Sequence, residues 1–185
     1  GQVLRNAFAF SAITGTTIVV AQIRAGRPKP GLAAQHLTGI LAVSHLCPGS
    51  SLSGASKGST SVTFQPSAAL GAAGEVPAAA DQQQPLLADC GTAGSCSLIL
   101  QTVLPVLALG RGCRGRTVRI VGGTDVSFSP PYSFIRAVTL PTLALFGIEA
   151  DLTCLTRGLM PRGGGELAVS VAPVQGTLSP IRLTD

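Results

Sequence analysis

Over residues 3–14 (VLRNAFAFSAIT) apolar side chains return every three or four positions, the spacing of a helix that buries one face. A β-branched run then predicts a strand over 17–24, the helical period returns over 32–46, and 51–56 and 61–65 read as two short strands. The same order follows further on: a helix over 95–109, a strand over 117–121, a helix over 132–146, and strands over 151–156 and 166–172. Each half therefore reads αβαββ.

The halves match at a nearly constant offset. Thr17-Ile18 stands one hundred positions before Thr117-Val118, Pro30 before Pro130, and Leu52 to Gly58 before Leu152 to Gly158. Such self-similarity predicts duplicated α/β units. The helical stripes (Leu37, Ile40, Leu41 and Val43 to Leu46; Ile135, Val138, Leu140, Leu143 and Leu145) are wide enough to cover a sheet, so an α+β fold follows, each unit a small sheet with two helices on one face. Between the halves, residues 67–88 are rich in Ala, Gly, Gln and Pro without a period and read as a mobile surface insertion.

Composition narrows the chemistry. A chain of 185 residues that is 45% hydrophobic can bury a core, while its longest apolar stretch, 98–109, is too short to span a bilayer, so no membrane is expected. Five cysteines form no CxxC pair and only His36 and His45 are present, which excludes a disulfide framework or a structural zinc site and fits a reducing compartment. The net charge is +5, and residues 1–74 carry Arg5, Arg24, Arg27, Lys29 and Lys57 without one Asp or Glu. That half is either a solvated basic face or a surface that attracts phosphate. The chain begins at Gly1 without Met or a leader, and the expectation is a truncated protein.

The segment IRAGRPKPGL, residues 23–32, links a strand to a helix and sets three cations among glycines and prolines. Arginine forks and helix-start N–H groups in such a loop can hold phosphate oxygens, although an ordinary solvated turn has the same composition. Gln35 and His36 follow in the first helical turn, close enough to join that polar site. GTAGS at 91–95 puts small residues and a capping hydroxyl before the next helix, where a nucleotide could approach; it lacks the Lys of a Walker A loop. Gln101 is a polar interruption in an apolar helix that either points outward or bonds something specific. Neither histidine has a Ser or Cys partner at triad-like spacing.

Taken together, GQVLR (1–5), IRAGRPKPGL (23–32), QHL (35–37), GTAGS (91–95), LQTVLP (100–105), GGT (122–124), the SPP before Tyr132 and RGLMPRGGGE (157–166) resemble the RNA 3′-terminal phosphate cyclase family. The resemblance covers nearly the whole chain and implies repeated βαβαββ units: residues 1–66 as the first, lacking its initial strand, 89–174 as the second, and 175–185 leading into an inserted domain. It implies a reaction with ATP and Mg2+ in which an enzyme histidine is adenylylated, AMP passes to an RNA 3′-phosphate, and the adjacent 2′-hydroxyl displaces AMP to leave a 2′,3′-cyclic phosphate. Arg5, Arg24, Arg27, Gln35 and His36 would line the phosphate and RNA end, Gln101 would contact ATP, and Pro130, Pro131 and Phe134 would flank the adenine.

The departures are two. The family's acidic residue before its glycine run has no counterpart ahead of Gly1, and neither His36 nor His45 occupies the nucleophile's motif, so the chain alone is expected not to turn over. A similar family branch, cyclase-like factors of ribosome biogenesis without cyclase activity, is the alternative; enolpyruvyl transferases share the repeated architecture only. The resemblance and the long insertion place the protein in the nucleus if eukaryotic, in the cytoplasm if bacterial. Its partners would be ATP and RNA ending in a 3′-phosphate.

Overall fold

The stacked rings of Phe8 and Phe64, centroids 5.1 Å apart, show how the first unit closes on itself. In the computed structural model, which describes residues 1–67, 84–110, 116–172, 174 and 176–182, Phe8 belongs to helix α1 (Gln2–Thr14) and Phe64 to strand β3 (Val62–Gln65). β1 (Ile18–Val20), α2 (Ala34–Leu46) and β2 (Ser51–Ser53) lie between them in sequence. The sheet runs β1-β3-β2 with both pairings antiparallel. α1 ends where Gly15 turns left-handed and its N–H caps the Ser11 carbonyl at 2.9 Å, a conformation that suits glycine.

The second unit comprises β4 (Leu86–Asp89), α3 (Cys96–Leu109), β5 (Thr117–Gly122), α4 (Tyr132–Phe134), a π-helical turn (Ile135–Thr139), α5 (Leu140–Leu145), β6 (Ala150–Thr156) and β7 (Gly165–Val171). Its sheet runs β4-β5-β7-β6, parallel only between β4 and β5. The last three strands repeat the order and antiparallel sense of the first sheet. Ile18 faces Phe64 and Leu52 faces Phe64; Val118 faces Val169 and Leu152 faces Val169. The offset of one hundred residues thus holds on two strands, and the second unit carries five more residues before its last strand.

α3 is the hydrophobic centre. Cys96, Ile99, Leu100, Val103, Val106 and Leu107 are buried along it, and α1 and α2 pack against it. Val118, Ile120, Leu167 and Val169 close the core from the second sheet, whose other face shows Arg119 paired with Glu166. Fully burying each such aliphatic side chain contributes about 1.5–3 kcal/mol, so α3 holds the two units as one body.

Three expectations are corrected. The strand predicted over 17–24 stops at Val20, because Gln22 and Arg24 take φ of 51° and 54° and turn the chain. The segment assigned to the insertion, 67–88, ends inside a strand: Leu86 starts β4, which pairs with β5. Of the rest of that segment, 68–83 lie outside the described residues. The helix over 132–146 is broken in register. Pro141 cannot donate to a carbonyl four residues back and its ring would crowd it, so the preceding turn widens, Leu140 N–H bonding Ile135 O. Of the predicted stripe, Ile135 stays buried while Val138 and Leu145 turn out. Among the described residues, no helix is long and apolar enough to cross a membrane.

Candidate functional site

The loop after β1 decides where the cations go. With Gln22 and Arg24 left-handed, Ala25 N–H bonds Gln22 O at 3.1 Å, Arg27 N–H bonds Arg24 O at 3.0 Å, and Gly31 N–H returns to Ile23 O at 2.8 Å. The folded loop is moored to the connection before β3: Ile23 N–H to Thr60 O (3.0 Å), Leu32 N–H to Ser59 O (2.9 Å) and Gly58 N–H to Leu32 O (2.8 Å). At Gly31, φ is 83° and a Cβ would overlap the Gly58 carbonyl, so the close approach requires glycine. Arg24 braces the loop by donating from Nη1 to Gly31 O at 3.2 Å.

The moored loop forms one wall of a cleft of about 640 Å³, whose lining includes Arg5 from α1, Arg24 and Arg27 from the loop, Gln35 and His36 from α2, and Phe128 from the other unit. All five residues expected at an RNA or phosphate end are therefore brought together. Among the described residues, the cleft's lining contains no carboxylate. Among the described residues, the ion pairs are Arg119 with Glu166 and Arg157 with Asp125, and none of the four lines the cleft.

Arg5 is buried, donates from Nη2 to Gln2 Oε1 at 2.6 Å, and keeps its Nε buried with no partner. Burial lowers its pKa from the ordinary arginine value. His36 Nδ1 accepts the Ala33 N–H at 3.3 Å, which leaves the ring proton on Nε2, facing the start of α1. Burial first, then the positive charges of the Gly1 amino group, Arg24 and Arg5, lower its pKa to about 4. At neutral pH His36 is an uncharged donor in a cationic cleft.

Gln35 does more than line the wall. Its Oε1 accepts the Ser95 N–H at 2.9 Å, joining α2 to the start of α3. Ser95 caps α3 as expected, its Oγ accepting the Leu98 N–H at 3.2 Å, but Cys96 N–H is already given to Gly123 O at 2.9 Å. The helix start expected to receive a nucleotide thus has its Ser95, Cys96 and Leu98 donors engaged by the chain itself.

None of the residues expected around ATP is among the cleft's lining residues. Gln101 is one turn beyond the lining residue Leu98, half-buried, with Oε1 buried and unpartnered; Pro105, four residues on, has no N–H for the Gln101 carbonyl. Pro131 caps α4, Pro130 precedes it and Phe134 is exposed; none of the three lines the cleft. Sequence reasoning missed Phe128, whose signal was an aromatic residue outside any apolar period, in DVSFSPP. No cluster of three or more His, Cys, Asp or Glu suited to a metal occurs among the described residues.

A model of the RNA 3′-terminal phosphate cyclase family matches residues 1–183. Curated proteins called RNA 3′-terminal phosphate cyclase are similar along the chain: that of Caldivirga maquilingensis is 42% identical over 100% of the chain and 48% of its own length. Those of Methylococcus capsulatus (41%, 98% of the chain, 48% of the relative) and Archaeoglobus fulgidus (42%, 95% and 49%) agree. The chain spans about half the length of the curated relatives it matches. Motif order, a carboxylate-free cleft built by those motifs, and a family match from end to end converge: the chain belongs to the RNA 3′-terminal phosphate cyclase family.

Proposed function

We propose that the intact protein uses ATP to convert an RNA 3′-terminal phosphate into a 2′,3′-cyclic phosphodiester, and that the cleft of Arg5, Arg24 and Arg27 holds the terminal phosphate. The observation that carries this reading is Arg5: a guanidinium with a buried, unpartnered Nε, among other cations and no carboxylate. Leaving such a donor unmet costs about 1–3 kcal/mol, and a phosphate oxygen would satisfy it.

In this reading AMP passes from ATP to a histidine and then to the RNA phosphate, and attack by the 2′-hydroxyl on that phosphorus expels AMP. Arg5, Arg24 and Arg27 offset charge that builds on the phosphate oxygens, and uncharged His36 donates from Nε2 without adding to the cationic field. Gln101 fits the nucleotide: its unpartnered Oε1 can accept the exocyclic amine of adenine. Among the described residues, the cleft lining offers magnesium no carboxylate. We place the nucleophilic histidine outside these 185 residues, which by themselves should bind without turnover.

The test incubates intact protein with α-labelled ATP and magnesium, then with RNA ending in a 3′-phosphate. A labelled protein band that discharges as cyclic phosphate appears is the expected result. A folded protein that takes no label would remove the cyclase reading and favour the non-catalytic ribosome-assembly branch.

A further inference from the structure

Phe128 is 102% exposed, sits at φ 62° and lines the cationic cleft. A left-handed backbone at a bulky residue costs about 1 kcal/mol or more, and a whole phenyl ring in water forgoes burial. An exposed apolar residue alone signifies little, but this one is held in place. Thr124 N–H bonds Gly158 O at 2.8 Å before it, Ser129 Oγ bonds Val126 O at 2.9 Å across it, and Tyr132 N–H bonds Thr124 O at 3.1 Å after it. Pro130 and Pro131 stiffen the exit. A rigid loop keeps an unpacked aromatic face beside three guanidinium groups.

Resting on the phosphate-end reading above, we propose that Phe128 is a positioning residue for RNA: its ring stacks on the terminal nucleobase while the arginines hold the 3′-phosphate of the same nucleotide. Stacking is tolerant of base identity because every base has a π-face, so the ring orders the RNA end without selecting its sequence. ATP also carries a nucleobase, but Pro130, Pro131 and Phe134, the residues expected at adenine, do not share the cleft with Phe128.

The experiment uses intact protein without ATP and two 5′-fluorescein RNAs ending in a 3′-phosphate, one with 2-aminopurine as the last base, the other abasic there. Phe128→Ala should weaken binding of the first by about 5- to 100-fold and abolish the quenching of 2-aminopurine. It should bind the abasic RNA as the unaltered protein does. Phe128→Leu, apolar but without a π-face, should resemble alanine, and Phe128→Trp should restore affinity; unchanged urea midpoints confirm that the variants fold. Equal binding of the first RNA by unaltered protein and Phe128→Ala, with both still requiring the 3′-phosphate, would overturn the stacking role alone. Binding that ignores the 3′-phosphate would overturn the cleft reading and this inference with it. Weakened ATP binding with RNA binding intact would move the ring to adenine and likewise overturn it.

Discussion

The loop after β1 and the loop after β5 occupy matching places in the two units, one hundred residues apart, and each is moored to a glycine in its own unit. Leu32 O receives the Gly58 N–H in the first; in the second Thr124 N–H bonds Gly158 O and Gly158 N–H bonds Thr124 Oγ1 at 3.1 Å. Their charges are handled oppositely. In the second loop Asp125 accepts from Arg157 at 2.6 Å, and Arg157 lies over the Tyr132 ring at 4.7 Å. Burial acts to raise the Asp125 pKa, but hydrogen bonds from Thr124 and Arg157 outweigh it and the net shift is downward. The first loop has arginines and no carboxylate. Duplication thus supplied one scaffold twice: one copy neutralises its charge internally and presents an aromatic ring, the other keeps its charge for a ligand.

The sharpest break in that comparison is at the mooring. Gly31→Ala forces a Cβ into the Gly58 carbonyl at positive φ, and should cost about 3 kcal/mol or more by urea unfolding. Pro131→Ala, at the matching place in the second loop, removes only rigidity and should cost under about 1 kcal/mol. Equal costs would mean that the two loops are not strained differently. Next in size is the charge: Arg5→Ala should weaken binding of 3′-phosphorylated RNA by about 10- to 100-fold. Arg27→Ala should lower the salt slope by about 0.7, whereas Arg157→Ala should leave affinity and slope unchanged. An Arg157 effect as large as that of Arg5 would erase the difference between paired and unpaired charge.

The sequence made this contrast only half visible. Apolar periods marked α1, α2 and α3 because each buries a stripe, and IRAGRPKPGL announced its cations by composition. The left-handed turns at Gln22 and Arg24, which bring those cations to Arg5 and His36, left no trace in residue type, since neither is a residue that prefers such φ. β4 was lost because Leu86 to Asp89 adjoin an Ala/Gln/Pro-rich stretch, and four residues give too short a pattern to stand out. Phe128 reaches the cleft only through contact between units, which no local pattern encodes.

That contact between units gives a smaller test. Gln35→Ala strands the buried Ser95 N–H and should cost about 2 kcal/mol. Gln35→Glu keeps the acceptor, so stability should largely persist while a negative charge in the cleft weakens RNA binding. Loss of stability without loss of binding in Gln35→Glu would show that Gln35 only ties the helices together.

The smallest expected effect is the pH response of His36. Its folded pKa of about 4 lies below the ordinary 6.5, so the fold favours the uncharged ring while the unfolded chain takes up a proton first. Stability contributed by this residue is therefore complete above about 6.5 and is lost as pH falls towards 4, by about 1 kcal/mol once screening by water in an open cleft is allowed for. His36→Asn offers an oxygen to the Ala33 N–H and does not titrate, so the difference in urea midpoint between it and the unaltered protein should change across that window and stay flat above it. A difference that changes instead between pH 7 and 9 would mean that His36 is not held uncharged by burial among the arginines. The cleft would then lack the excess positive charge that sets the first loop apart from the second.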